Sequence, residues 1–333
     1  MSDFYFLSGQ IRALEGKMFS RQQLDRMIAA STPEKAFGVL TELQYAQFID
    51  ADLKATDFDQ VLEQGLQETK RFIEEGATGR HSIAFFWLQY DLNNLKRALK
   101  EVLVEGNPAL PVLQSQTQEG YLFFGSYTPA ELLEIITTGD EEQKLPKPWH
   151  AVVRRALRGG YESFYDAELA LEQAYFALLQ QLAKRSGDAT LREVYALLVT
   201  SYQLRVTARS VLLRHRAPEG REILPTKDRS LYLQCETPQQ LQLLLERAGY
   251  ADALESWAML SPYEQAQQLD RATDARYMQT LHEADQGAIG GAIIPLWYFE
   301  KRLRNSRLIR AIMLAKFQGM ASEDIYTLLD TVS

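Results

Sequence analysis

Three stretches of this 333-residue chain start a helix in the same way, and the intervals between them are nearly constant. Ser20-Arg21-Gln22-Gln23-Leu24, Thr128-Pro129-Ala130-Glu131-Leu132 and Thr237-Pro238-Gln239-Gln240-Leu241 begin 108 and 109 residues apart. In each, a Ser or Thr oxygen is placed to accept from the free amides of a first helical turn, and Pro takes the first helical position in two of the three, where no amide is lost. Apolar residues follow at matched offsets: Leu24, Met27 and Ile28, then Leu132, Ile135 and Ile136, then Leu241, Leu244 and Leu245. That spacing marks one face of an amphipathic helix. Solenoid repeats run to roughly 20–50 residues, so a period of about 108 predicts something else. The expectation is three duplicated helical subdomains, residues 1–117, 118–225 and 226–333, in an all-α chain, with closure around a pseudo-threefold axis favoured over an open line of units.

Three long helices carry the same duplication. One is expected over residues 83–103, with Leu88, Leu92, Leu95, Leu99 and Val102 at spacings of three and four. A second is expected over 191–214. The third spans 294–317, with Pro295 in its first turn, Lys316 in its last, Gly319 where a left-handed cap belongs and Ser322 available to cap a final helix. Asp91, Asn94, Leu95 and Lys96 align with Tyr202, Arg205, Val206 and Thr207, and with Arg302, Asn305, Ser306 and Arg307, at intervals of 111 and 100 residues. Breaks are expected at 107–118 and 217–229, which are rich in Pro, Gly or polar residues. The strand signals, Phe123-Phe124 and residues 230–234, are too short to alter an all-helical reading.

With 46% apolar and 24% charged residues the chain can bury a large core, and its formal net charge of −8 argues against general nucleic-acid binding. Cys235 is the only cysteine, so no intrachain disulfide forms, and Met1-Ser2-Asp3-Phe4 lacks the features of a signal peptide. These point to a reducing cytoplasm, and to Cys235 as a small buried thiol. No apolar run approaches the ~20 residues that span a bilayer, so any link to a membrane would pass through a partner that does.

Candidate chemistry is thin. His81, His150, His215 and His282 stand too far apart in sequence to form a helical or loop ligand pair, so no metal is expected. The loop Gly287-Ala288-Ile289-Gly290-Gly291 lacks the Gly-Lys-Ser/Thr ending of a phosphate cradle and reads as a flexible lead-in to the third long helix. Carboxylates gather at Asp50, Asp52, Asp57 and Asp59 and at Asp140-Glu141-Glu142, but in a loop-like context rather than on the facing helices that a magnesium–diphosphate site needs. No catalytic residue and no cofactor is expected.

Charge is segregated instead. Residues 299–317 hold six basic residues and one acidic, whereas residues 50–80 hold eight acidic and four basic. Arg304, Arg307 and Arg310, at spacings of three, form a slowly turning stripe suited to an acidic partner. Asp91 and Asn94 share a helix face beside the apolar stripe, and with Lys96 and Asn305 they make a polar seam expected to fix the packing of the repeats.

Residues 6–15, Phe6-Leu7-Ser8-Gly9-Gln10-Ile11-Arg12-Ala13-Leu14-Glu15, the Asp91-Leu92-Asn93-Asn94-Leu95-Lys96 helix and Arg304-Asn305-Ser306-Arg307-Leu308-Ile309-Arg310 with Lys316-Phe317-Gln318-Gly319 resemble the C subunit of archaeal and bacterial V/A-type rotary ATPases, a relative of V-ATPase subunit d. The sequence departs from the family at Gln10, where Arg is usual, and at Arg302, where an acidic residue is usual. The resemblance implies a funnel-shaped adaptor that binds no nucleotide. Its base would sit on the proteolipid rotor ring, and it would receive the central shaft of subunits D and F on the cytoplasmic face of the membrane. A stand-alone helical interaction scaffold is the alternative.

Overall fold

Side-chain caps mark where several of the helices begin. The computed structural model describes residues 4–42, 45–50, 52–77, 80–105, 124–139, 144–213, 224, 226–251 and 257–332. Their helices are α1 (Tyr5–Glu15), α2 (Arg21–Ala29), α3 (Pro33–Gly38), α4 (Phe58–Gly76), α5 (Arg80–Lys100), α6 (Pro129–Thr138), α7 (Lys147–Leu157), α8 (Phe164–Ser186), α9 (Ala189–Leu213), α10 (Arg229–Leu233), α11 (Pro238–Arg247), α12 (Pro262–Gln286), α13 (Ile293–Phe317) and α14 (Ser322–Val332). No strand occurs among the described residues, and 230–234 lies mostly in α10. The chain is all-α.

Ser20, Thr128 and Thr237 each accept a hydrogen bond from the amide three residues on, and Gln23, Glu131 and Gln240 reach back to the cap amide. These are complete capping boxes. All nine matched apolar residues of α2, α6 and α11 are buried. Ser163 with Asp166 and Ser261 with Glu264 build the same reciprocal cap elsewhere, so the recurring signal is the cap together with its buried triplet.

The long helices run close to expectation. α5 starts three residues before residue 83, because a polar first turn carries no apolar periodicity, and it ends in a π turn at Glu101–Glu105. At the far end Gly319 has φ +71°, a left-handed backbone that side chains with a Cβ resist. Ser322 is the first residue of α14 rather than the residue before it, and its hydroxyl donates to the Ile28 carbonyl oxygen. The expected breaks lie largely outside the described residues, as do Asp140-Glu141-Glu142 and His215.

The described chain forms two compact units, residues 1–83 with 285–333 and residues 84–284. In the first, α13 packs against α1, α2, α3, α4 and α14; its Ile309, Ile312 and Met313 join Met27, Ile28, Leu40, Val61, Leu62 and Ile325 in one core, and Ile294, Leu296 and Phe299 are buried nearer its start. Polar contacts bring the chain's two ends together around it. Arg12 pairs with Asp285, Lys301 with Glu15, and the Tyr326 hydroxyl donates to Asp25.

In the second unit α8 packs on α7 and α9, and α9 also meets α10 and α11. Trp149 is fully buried and donates its indole N–H to the Leu171 carbonyl oxygen at 3.4 Å. A further core joins Leu204, Tyr232, Leu241, Leu245, Trp257 and Leu269 with Cys235, whose thiol is buried as expected.

Asp91 is buried and accepts from the Tyr127 amide at 3.2 Å, fixing the turn that leads into α6. A Cβ at Gly125 would run into the Asp91 carboxylate and sit 3.3 Å from the Tyr127 carbonyl oxygen. Gly125→Ala should therefore destabilise the protein by about 1–3 kcal/mol, the range for disturbing a buried polar group, measured by chemical denaturation. Thr128→Ala and Thr237→Ala should each cost about 1 kcal/mol as lost caps, and their effects should add because the two sites share no partner.

Candidate partner-binding surface

α13 is buried on nearly every side, which leaves a narrow outward stripe. Arg307, Arg310, Leu314 and Phe317 recur at spacings of three, four and three and are all exposed. Arg304 is only half-buried at the edge of this face. The Arg310 guanidinium bonds Asp59 at the start of α4 at 2.5 Å. Both side chains are about half exposed, so the pair contributes at most ~1 kcal/mol. Arg307 has no ion-pair partner among the described residues. The expected stripe of three equivalent arginines is thus three unlike ones, with Arg307 the most available.

Leu314 and Phe317 extend the stripe and escaped the sequence reading. They are 47% and 41% exposed, unusual for large apolar groups on so buried a helix. Phe317 stacks on Phe58 with centroids 6.1 Å apart, which holds its ring in place. Their offsets of seven and ten from Arg307 were the available signal, since both fall on the arginine face. A second exposed apolar group in this unit joins the start of α1 to the Gly287–Gly291 loop: Phe6 is 77% and Ile289 88% exposed, and the Tyr5 ring lies against Gly290.

The polar-seam residues do different jobs. Asp91 and Asn94 are buried in the second unit, where the Lys96 ammonium pairs with Glu172 and the Tyr202 hydroxyl donates to the same carboxylate at 3.1 Å. Asn305 belongs to the first unit and donates to the Phe19 carbonyl oxygen at 3.2 Å. Arg205, the counterpart of Asn94, ties α9 to Asp270, Thr273 and Asp274 of α12. Arg302, the counterpart of Asp91, is 4% exposed, donates to the Gly65 carbonyl oxygen at 3.1 Å and lies over the Tyr45 ring.

Beside α4 runs a groove of about 670 Å³. Gln60, Gln64, Gln67 and Arg71 of α4 form one wall. Glu68 of the same helix also lines it, and the segment before α4 contributes Phe48 and Leu53, partly buried against the core, with Gln47, Asp50 and Asp52. Arg71 is held by Glu68. Of the clustered aspartates, Asp57 accepts from the Lys54 amide and Asp59 pairs with Arg310, so Asp50 and Asp52 alone face the groove. Among the described residues no group of three His, Cys, Asp or Glu side chains is placed to hold a metal, and no helix is long and apolar enough to cross a membrane.

Glu63 lies on α4 within electrostatic reach of Asp59 and Arg310. Burial pushes its carboxyl up, nearby Asp59 adds to the rise, and Arg310 opposes it. One of its oxygens is buried with no hydrogen-bond partner among the described residues. A carboxyl raised in the folded state favours folding once protonated, so its penalty is present above the folded pKa and is relieved as pH falls through it. Glu63→Gln should raise the melting temperature at neutral pH and shrink the gain that the unaltered chain shows on mild acidification, read by thermal melts across pH.

No curated protein matches the chain at a significant level. The model of the ATP synthase (C/AC39) subunit family, however, matches residues 7–328, which takes in most of the first compact unit and all of the second. The all-helical architecture and a match across nearly the whole length place this chain in the ATP synthase (C/AC39) subunit family.

Proposed function

We propose that this chain is a non-catalytic rotor adaptor of a V/A-type ATPase, joining the central shaft of subunits D and F to the proteolipid rotor ring and passing torque between ion transport and the ATP-converting head. The observation that carries this reading is the family match over residues 7–328. In this reading the chain works peripherally on the cytoplasmic face of the membrane, reaching it through the ring. Three repeats, 1–117, 118–225 and 226–333, form its pseudo-threefold frame. The recurrence of a capping box with a buried apolar triplet in α2, α6 and α11 supports that division.

A torque-bearing part has to be stiff inside and firmly seated outside. Dense interiors transmit strain, and α13, clamped by five other helices, is such an interior. Seating two partners takes two surfaces. The Arg307–Leu314–Phe317 ridge and the Tyr5–Phe6–Ile289 patch are two exposed features of the first unit that suit it, because each groups large exposed apolar side chains together. Arg307 supplies a guanidinium fork for a partner carboxylate, and the two apolar groups supply buried area.

Purified chain should co-elute with a D–F complex. Arg307→Glu combined with Leu314→Ser should weaken that association about tenfold, a loss of about 1.4 kcal/mol, without lowering the melting temperature, since both side chains are exposed. Unchanged co-elution of the double variant removes the ridge from the seating surface. Failure of the unaltered chain to associate with either the D–F complex or the rotor ring removes the adaptor reading itself.

A further inference from the structure

The groove beside α4 is a built feature with no role in the function above. Its wall is a stripe of amides: Gln60, Gln64 and Gln67 fall at i, i+4 and i+7, with Arg71 one turn further, so all four share one helix face. At a rise of ~1.5 Å per residue the stripe from Gln60 to Arg71 is roughly 16 Å long. An extended chain advances ~3.3 Å per residue, so about five residues fit along it.

Glutamine amides donate and accept at once, which is what the alternating N–H and C=O groups of an extended backbone need. Phe48 and Leu53 supply an apolar surface for side chains on one side of such a strand. Asp50 and Asp52, from the segment before α4, line the groove, are exposed and have no ion-pair partner among the described residues. Arg71 is neutralised by Glu68, so the groove presents a net negative rim. Its volume, about 670 Å³, lies in the range of ligand clefts.

We propose that this groove binds an extended, lysine- or arginine-bearing stretch of a partner polypeptide, with the peptide backbone on the glutamine stripe, an apolar side chain on Phe48 and Leu53, and the cation between Asp50 and Asp52. The occupant is extended because the groove is lined along one helix by evenly spaced amides rather than by an apolar trough for a second helix. It is basic because the unpaired rim charges are both acidic. The site is distinct from the α13 ridge and does not depend on which partner that ridge meets.

The test uses the full chain and a fluorescein-labelled eight-residue peptide of alternating Lys and Val, followed by fluorescence anisotropy. Saturable one-to-one binding is expected, at least tenfold weaker for Asp50→Lys combined with Asp52→Lys. It should change less than twofold for Glu193→Lys combined with Glu236→Lys, which makes the same change in net charge on exposed residues of the other unit. Gln60→Ala with Gln67→Ala keeps the rim charge and should also weaken binding severalfold, so the amide contribution is read even if the charge reversal perturbs folding. Absence of saturable binding overturns the proposal, as does an equal loss in the Glu193/Glu236 control, which would mean attraction to the acidic surface at large. Displacement of the peptide by spermine at matched charge and equal affinity would also overturn it, by showing that the groove reads charge without reading a backbone.

Discussion

The burial of α13 is the constraint on which the first unit depends. A helix that hides Ile294, Phe299, Ile309, Ile312 and Met313 on several sides at once cannot exist alone in water, so α1 to α4 and α14 must close around it. One tight contact is at Gly65 of α4. A Cβ there would meet the Tyr45 ring at 2.7 Å, and the space without one lets Arg302 reach the Gly65 carbonyl oxygen. A guanidinium 4% exposed is costly to bury unless it is bonded. The carbonyl acceptor and the Tyr45 face offset part of that cost, while the Arg302 Nε stays buried with no hydrogen-bond partner among the described residues.

With α13 held so closely, its remaining outward strip is set by subtraction. Arg307, Arg310, Leu314 and Phe317 are exposed because every other face is taken. The clamp also gives them a rigid base, and rigid presentation lowers the ordering cost of an interface. Asp59 and Phe58 at the start of α4 extend that base by holding Arg310 and Phe317. The groove on α4 arises from the same packing, since the helix turns Val61, Leu62 and Leu66 inward and leaves its glutamines on the outside.

The aligned long helices show how one repeated pattern can serve different contacts. Asp91, Tyr202 and Arg302 occupy matching positions, yet the first accepts from a turn amide, the second donates to Glu172 and the third donates to a helix carbonyl oxygen. What recurs is a polar anchor beside an apolar stripe, with each partner supplied by local surroundings. The departure at Arg302 is of this kind, because its environment is a glycine carbonyl and an aromatic face.

Much of the helical framework was legible in the sequence, because caps and apolar periodicity act over a few residues. Ser20, Thr128 and Thr237 announce their helices, Gly319 its left-handed stop, and the matched triplets their buried faces. Family membership was legible too, since whole-length similarity needs no coordinates. The candidate surfaces were only half visible: the arginine spacing could be read, but not that Arg310 meets Asp59 some 251 residues away. Nor could the sequence show that the first 83 residues and the last 49 form one compact unit, or that Asp50 and Asp52 edge a groove while Asp57 and Asp59 turn to other partners. Short-range hydrogen bonding and periodic burial are written in neighbouring residues. Pairing across hundreds of residues depends on how helices pack in three dimensions, and that only the tertiary structure decides.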